Sequence, residues 1–130
     1  MTTAIPRIEV FEVEDNHLIR KVVPRRGEPY EHRCSLDAYR ELTWAAFDLA
    51  ADGFTVESLA DQVRNRSRAE HDDREPWASY TNAAVALAFW RERGLLDVRR
   101  RRNYVDDGFF FEDAMIEFHA LAAGEMNEAS

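Results

Sequence analysis

At 130 residues and 15.1 kDa, with 45% apolar residues, the chain is long enough for one domain with its own core and too apolar for global disorder. Its single cysteine, Cys34, excludes an internal disulfide, and no apolar run approaches the roughly 18 residues of a membrane span. The net charge of -8 opposes polyanion binding by the molecule as a whole, but between Arg91 and Val105 six arginines stand against Glu92 and Asp97, a local +4 that leaves -12 elsewhere.

The N-terminal stretch MTTAIPRIEVFEVED has neither the basic start nor the apolar segment of an export signal, so a cytoplasmic protein without a membrane partner is expected. Residues Arg7 to Val23 alternate in two apolar bursts, Ile8/Val10/Val13 and Leu18/Ile19/Val22/Val23, separated by Glu14-Asp15-Asn16-His17. Asp and Asn tolerate tight-turn geometry, so this pattern predicts a β-hairpin. Pro24 and Pro29 lack ladder donors and Gly27 permits positive φ, which predicts a linker or ordered loop there. Ser35 can cap a first helix, Asp37 suits its positive end, and Asp52-Gly53 supplies the exit. Tyr39, Leu42, Ala46 and Leu49 form its inward stripe, while Trp44 and Phe47 lie off that stripe and call for a second packing partner, for which the N-terminal hairpin is a candidate.

Thr55 opens a shorter second helix with Val56, Leu59, Ala60 and Val63 inward. Arg64 to Pro76 is too polar to bury and is expected to be an irregular exposed insertion. A third helix is expected over about Trp77 to Arg93, with Ala83, Leu87 and Trp90 inward and Gly94 as its stop. Leu95, Leu96 and Val98 then open a strand, Asp107-Gly108 reads as its turn, and Phe109-Phe110-Phe111 as the returning strand. A last helix, Asp113 to Ala123, carries Met115, Phe118 and Ala122 on one stripe, and the residues from Gly124 are expected to fray.

The segment VALAFWRERGLLDVR resembles the helix-to-wing junction of the winged-helix superfamily: Leu87 and Trp90 match core positions, Gly94 the helix stop, and Leu95 the residue that seats the wing strand. Over Ser35 to Glu112 the order of elements is similar too. The resemblance implies an α+β winged helix-turn-helix, three helices plus a β-hairpin wing, with an N-terminal β-hairpin and a C-terminal helix added. The corresponding division is a hairpin and linker over 1–33, a winged-helix domain over 34–123 and a tail over 124–130. It also implies a recognition helix at Trp77 to Arg93 and a wing at Leu95 to Glu112, with the long insertion before that helix as the departure.

On the third helix the residues pointing away from the core are expected to be Thr81, Asn82, Ala84, Val85, Ala88 and Phe89. Only Thr81 and Asn82 form hydrogen bonds, which is sparse for reading base edges. Val85 and Phe89 are expected to be covered by the hairpin Arg7 to Val23 or by another subunit, and with Met115 and Phe118 they are candidate contacts to a partner or a second copy. The run Arg99-Arg100-Arg101-Arg102 is the strongest chemical signal. As strand residues these cations would alternate between both faces of a wing and meet phosphates, joined by Arg91 at the helix end. The alternative is a solvated face paired with Asp106, Asp107, Glu112 and Asp113 across the hairpin.

His32-x-Cys34, with His17 and His71, lacks the paired spacing of structural zinc. Asp113 and Glu117 are one turn apart, but no nucleophile or phosphate-binding glycine loop accompanies Glu112, Asp113, Glu117 and His119. No catalytic, metal or cofactor site is therefore expected. Two functions remain open: a non-enzymatic regulator or accessory factor that binds duplex DNA through the arginine-rich wing, and a module for protein interaction or homodimerisation that leaves DNA alone.

Overall fold

The computed structural model describes residues 6–70, 80–105 and 108–128, and within them the chain is α+β, with four helices and two antiparallel sheets. The first sheet has the order β1 (Ile8–Glu14), β2 (His17–Val23), β3 (Tyr30–Ser35). Its first two strands are the expected hairpin, in register from Ile8 opposite Val23 to Glu14 opposite His17. The turn residues Asp15 and Asn16 sit at φ 51 and 59, a left-handed conformation that short polar side chains support. The third strand goes beyond the sequence reading. Of Tyr30 to Arg33 every residue is exposed and only Cys34 is buried, so pairing with β2, not hydrophobic alternation, makes this segment a strand.

Ser35 ends β3 and caps α1 (Leu36–Asp48), its Oγ accepting from the Ala38 N–H at 3.1 Å. The helix start is also tied to the first hairpin, because the Leu36 N–H donates to the Asn16 carbonyl. After α1 the chain turns at Gly53, where φ is 75 and an added Cβ would lie 2.7 Å from the Tyr104 ring, so both the backbone conformation and the close approach require glycine. Phe54 then forms a single antiparallel bridge with Asn103.

Helix α2 (Val56–Glu70) begins with a reciprocal cap: the Ser58 N–H donates to Thr55 Oγ1 and the Thr55 N–H to Ser58 Oγ. It runs further than expected. The segment from Arg64, read as an irregular insertion, is helical through Glu70, and the remainder to Pro76 lies outside the described residues. Polarity here marks a solvated helix: Arg66 reaches Asp48 at 2.7 Å and Glu41 at 3.6 Å on α1, and Arg64 pairs with Asp61 within α2.

Helix α3 is described over Tyr80–Glu92 and stops as expected at Gly94, φ 74, with the Leu95 N–H returning to the Trp90 carbonyl and the Gly94 N–H to that of Arg91. The second hairpin differs from its expectation. It pairs β4 (Asp97–Arg99) with β5 (Arg102–Tyr104) around Arg100 and Arg101. Asp106 and Asp107 lie outside the described residues, and Phe109 to Phe111 form no strand, because Phe110 begins α4 (Phe110–Glu128). Phe110, Ala114 and Phe118, four residues apart, are all buried, which is helical rather than strand spacing. The backbone from Gly124, expected to fray, continues this helix to Glu128.

One core joins sheet and helices: Phe11, Leu18 and Cys34 from the sheet meet Tyr39, Leu42, Phe54, Leu59, Leu87, Trp90 and Phe118, with Leu49 and Leu95 packed at its margin. Tyr39 links three helices. Its hydroxyl donates to the Ala114 carbonyl at 2.6 Å and accepts from Trp90 Nε1 at 3.0 Å, so both buried polar groups are satisfied. Its ring packs edge-on against Phe118 at 5.1 Å, and burial pushes its hydroxyl pKa up.

Candidate nucleic-acid interface

The α3 residues expected to face outward separate into two groups. Val85 and Phe89 are fully buried, with the Phe89 ring 5.4 Å from Phe11 of β1 and 6.3 Å from Tyr39. The chain's own sheet covers this side of α3, and Phe118 is likewise buried while Met115 packs at the core margin. This corrects the candidate partner contacts: Val85, Phe89 and Phe118 belong to the internal core and offer no surface to a second molecule, and Met115 is half-buried beside them. Asn82 is also drawn inward, its Nδ2 donating to the Arg33 carbonyl on β3 at 2.8 Å. What α3 leaves accessible is Tyr80, Thr81, Arg91 and Glu92, with Ala84 and Ala88 partly so. The expected phase was right for Ala83, Leu87 and Trp90, but the helix has a second covered side.

The four arginines also divide. Arg99 lies over the Tyr104 ring at 4.1 Å and its Nε is 3.0 Å from Asp97. Arg102 donates from Nε to the Asp52 carbonyl at 3.1 Å and from its terminal nitrogen to the Gly53 carbonyl at 2.9 Å, fastening the hairpin to the segment that leaves α1. Arg91 donates to Asn103 Oδ1 at 3.3 Å. Asn103, buried, gives its Nδ2 to the Phe54 carbonyl and exchanges both backbone bonds with Phe54, so it anchors β5. Arg100 and Arg101 are the turn itself, at φ 49 and 67. They are exposed and make no hydrogen bond or ion pair with any described residue. The expectation of four strand arginines alternating between faces is therefore corrected to two anchored cations and two at the tip.

Of the carboxylates expected to neutralise this run, Asp106 and Asp107 lie outside the described residues, while Glu112 and Asp113 occupy the first turn of α4 and pair with none of the arginines. The anchoring residues Phe54, Asn103 and Tyr104 escaped the sequence reading, because their partners lie about 50 positions away and no local pattern marks them. Elsewhere, among the described residues no group of three or more His, Cys, Asp or Glu could hold a metal ion, and no helix is long and apolar enough to cross a membrane. Cys34 is buried, which pushes its thiol up to about 12, and Glu117 stands 3.9 Å from Arg93. Comparison with family models, curated proteins and solved structures returns no match to this chain.

Proposed function

We propose that the chain is a non-enzymatic winged-helix protein that binds duplex DNA through the tip of its β4–β5 hairpin, contacting phosphates rather than reading bases. The observation that carries this reading is the placement of Arg100 and Arg101. A long side chain in the left-handed region costs about 1–2 kcal/mol per residue, yet two arginines occupy it side by side without a partner among the described residues. Such a tip presents two cations that give up no ion pair with a described residue when they meet a phosphate. The order α1, bridged Phe54, α2, α3, β4–β5 is that of a winged helix, which supports the architectural part of the reading.

The α3 surface supports sequence-independent contact. Asn82, the amide best placed by sequence to meet adenine, is committed to β3, and the accessible part of the helix offers Tyr80, Thr81, Arg91 and Glu92 with two partly exposed alanines. With an acidic body, attraction must act locally, within a Debye length of about 8 Å at physiological salt.

The test is a salt titration of binding to a random duplex, comparing the parent with Arg100→Asn/Arg101→Gly. That pair suits a two-residue turn with both φ positive, so the hairpin is kept while the cations are removed. The expected result is weaker binding to all sequences and a salt slope shallower by about 2, since each phosphate contact contributes about 0.9. Equal affinity and equal slope, or no duplex binding by the parent at low salt, overturns the reading.

A further inference from the structure

The outward side of α1 carries Asp37, Arg40, Trp44 and Phe47 at the three- and four-residue spacing of a single helix face. Trp44 and Phe47 are 40% and 42% exposed, so the second packing partner that their positions call for is not the N-terminal hairpin. They are not scattered surface residues. Trp44 stacks on Phe111 from the start of α4, centroids 4.5 Å apart and planes 14° from parallel, and Phe47 meets Trp44 at 6.4 Å and 90°. Three aromatic rings thus hold one another in a fixed open arrangement, and side chains already ordered lose less entropy when a partner covers them.

The charges along this helix indicate which partner fits. Arg66 already occupies Glu41 and Asp48. In the amino-terminal half of the stripe Asp37 stands at the positive end of the helix dipole, and Arg40 is exposed and has no carboxylate partner among the described residues. The other end of α1 has no basic residue in its last turn and leads into exposed Asp52, whose carboxylate is also unpaired among them. A second α1 laid antiparallel joins these complementary groups: Trp44 of each copy meets Phe47 of the other, and Arg40 meets the Asp52 end. Each contact occurs twice, as a two-fold axis demands. A parallel arrangement would put Arg40 against Arg40.

We propose that the Trp44, Phe47 and Phe111 face is the interface of a homodimer in which two α1 helices pack antiparallel. The proposal stands independently of the DNA reading but has a consequence for it. Arg102 fastens the arginine hairpin at the carboxyl end of α1, a helix about 20 Å long, so the dimer carries its two cationic tips toward opposite ends.

Sedimentation equilibrium of the full chain across the micromolar range tests it. A monomer–dimer equilibrium is expected, weakened at least about 30-fold in Trp44→Ser/Phe47→Ser and about tenfold in Arg40→Glu. Adding Asp52→Arg to Arg40→Glu restores association to near the parent value, because the swapped charges meet again across the axis. Arg40→Glu alters only an exposed side chain, so the charge-swap arm decides even where the aromatic variant folds poorly. A monomer at every concentration, a dimer indifferent to Trp44 and Phe47, or a charge swap that restores nothing overturns the proposal. So does a chain that stays monomeric and instead takes up an amphipathic Leu/Lys peptide on this face.

Discussion

The two hairpins of this chain turn through the same backbone conformation with opposite chemistry. Asp15 and Asn16 stand at φ 51 and 59, Arg100 and Arg101 at 49 and 67. In the first turn the residues suit the backbone, and the turn is used internally: the Asn16 carbonyl receives the first amide of α1 and the Asp15 carbonyl meets His17 Nδ1 at 2.9 Å. In the second the residues resist the backbone and face solvent. The strands differ in the same sense. β1 and β2 bury Phe11, Val13, Leu18 and Val22, whereas β4 is exposed throughout and its hairpin is held along β5 by the polar bonds of Arg102, next to the turn, and Asn103. One hairpin is part of the core. The other is a cationic projection whose attachment and tip can be altered separately.

The largest effect is expected from breaking the attachment. Gly53→Ala places a methyl group against the Tyr104 ring at a positive φ, at a cost of about 2–4 kcal/mol in thermal or denaturant unfolding. Asn103→Ala leaves the Phe54 carbonyl and Arg91 short of a partner and is expected to cost about 1–3 kcal/mol. Hydrogen exchange distinguishes the two hairpins in this variant. The Phe54 amide, bonded to the Asn103 carbonyl, loses protection, while the amides between β1 and β2 keep theirs. Equal loosening of both hairpins would contradict their separate means of support.

How much of this the sequence disclosed follows the range of the forces involved. Local signals worked: the Asp-Asn turn, the Ser35 cap, the Gly94 stop and the Leu87/Trp90 stripe each depend on neighbours within a few residues. Elements held by distant partners were missed or misplaced. β3 exists through its register with β2, and α2 reaches Glu70 with Arg66 bound to Asp48 and Glu41 on another helix. Asp107-Gly108 favours a turn locally, whereas bonds to Asp52, Gly53 and Phe54 hold the strands of the second hairpin around Arg100-Arg101. For the candidate site the arginine run was legible as a cluster of charge. Which two cations are left without a partner among the described residues was not, since acceptors about 50 residues away and the Tyr104 ring decide it.

Arg100→Asn/Arg101→Gly sharpens the comparison in the opposite direction from these losses. Giving the second turn residues suited to positive φ should raise stability by about 1–2 kcal/mol while duplex affinity falls. A variant that loses both stability and binding would mean that the arginines support the fold, and the functional argument from strain would fail.

The smallest and most discriminating change is the reciprocal one, Asp15→Arg/Asn16→Arg, which gives the first turn the residues of the second. The backbone there is already left-handed, and the bond that ties it to α1 is accepted by the Asn16 main-chain carbonyl, so the substitution keeps it and adds only the penalty of long side chains at φ near 50–60. A loss of about 1 kcal/mol is expected, partly offset because two cations are added to an acidic protein. Thermal unfolding measures the loss, and the salt slope of duplex binding measures whether any pair of exposed arginines suffices. A slope unchanged from the parent assigns the contact to the β4–β5 tip in particular. If it steepens by about 2, position on the molecule is irrelevant, and the second turn holds no special place in binding.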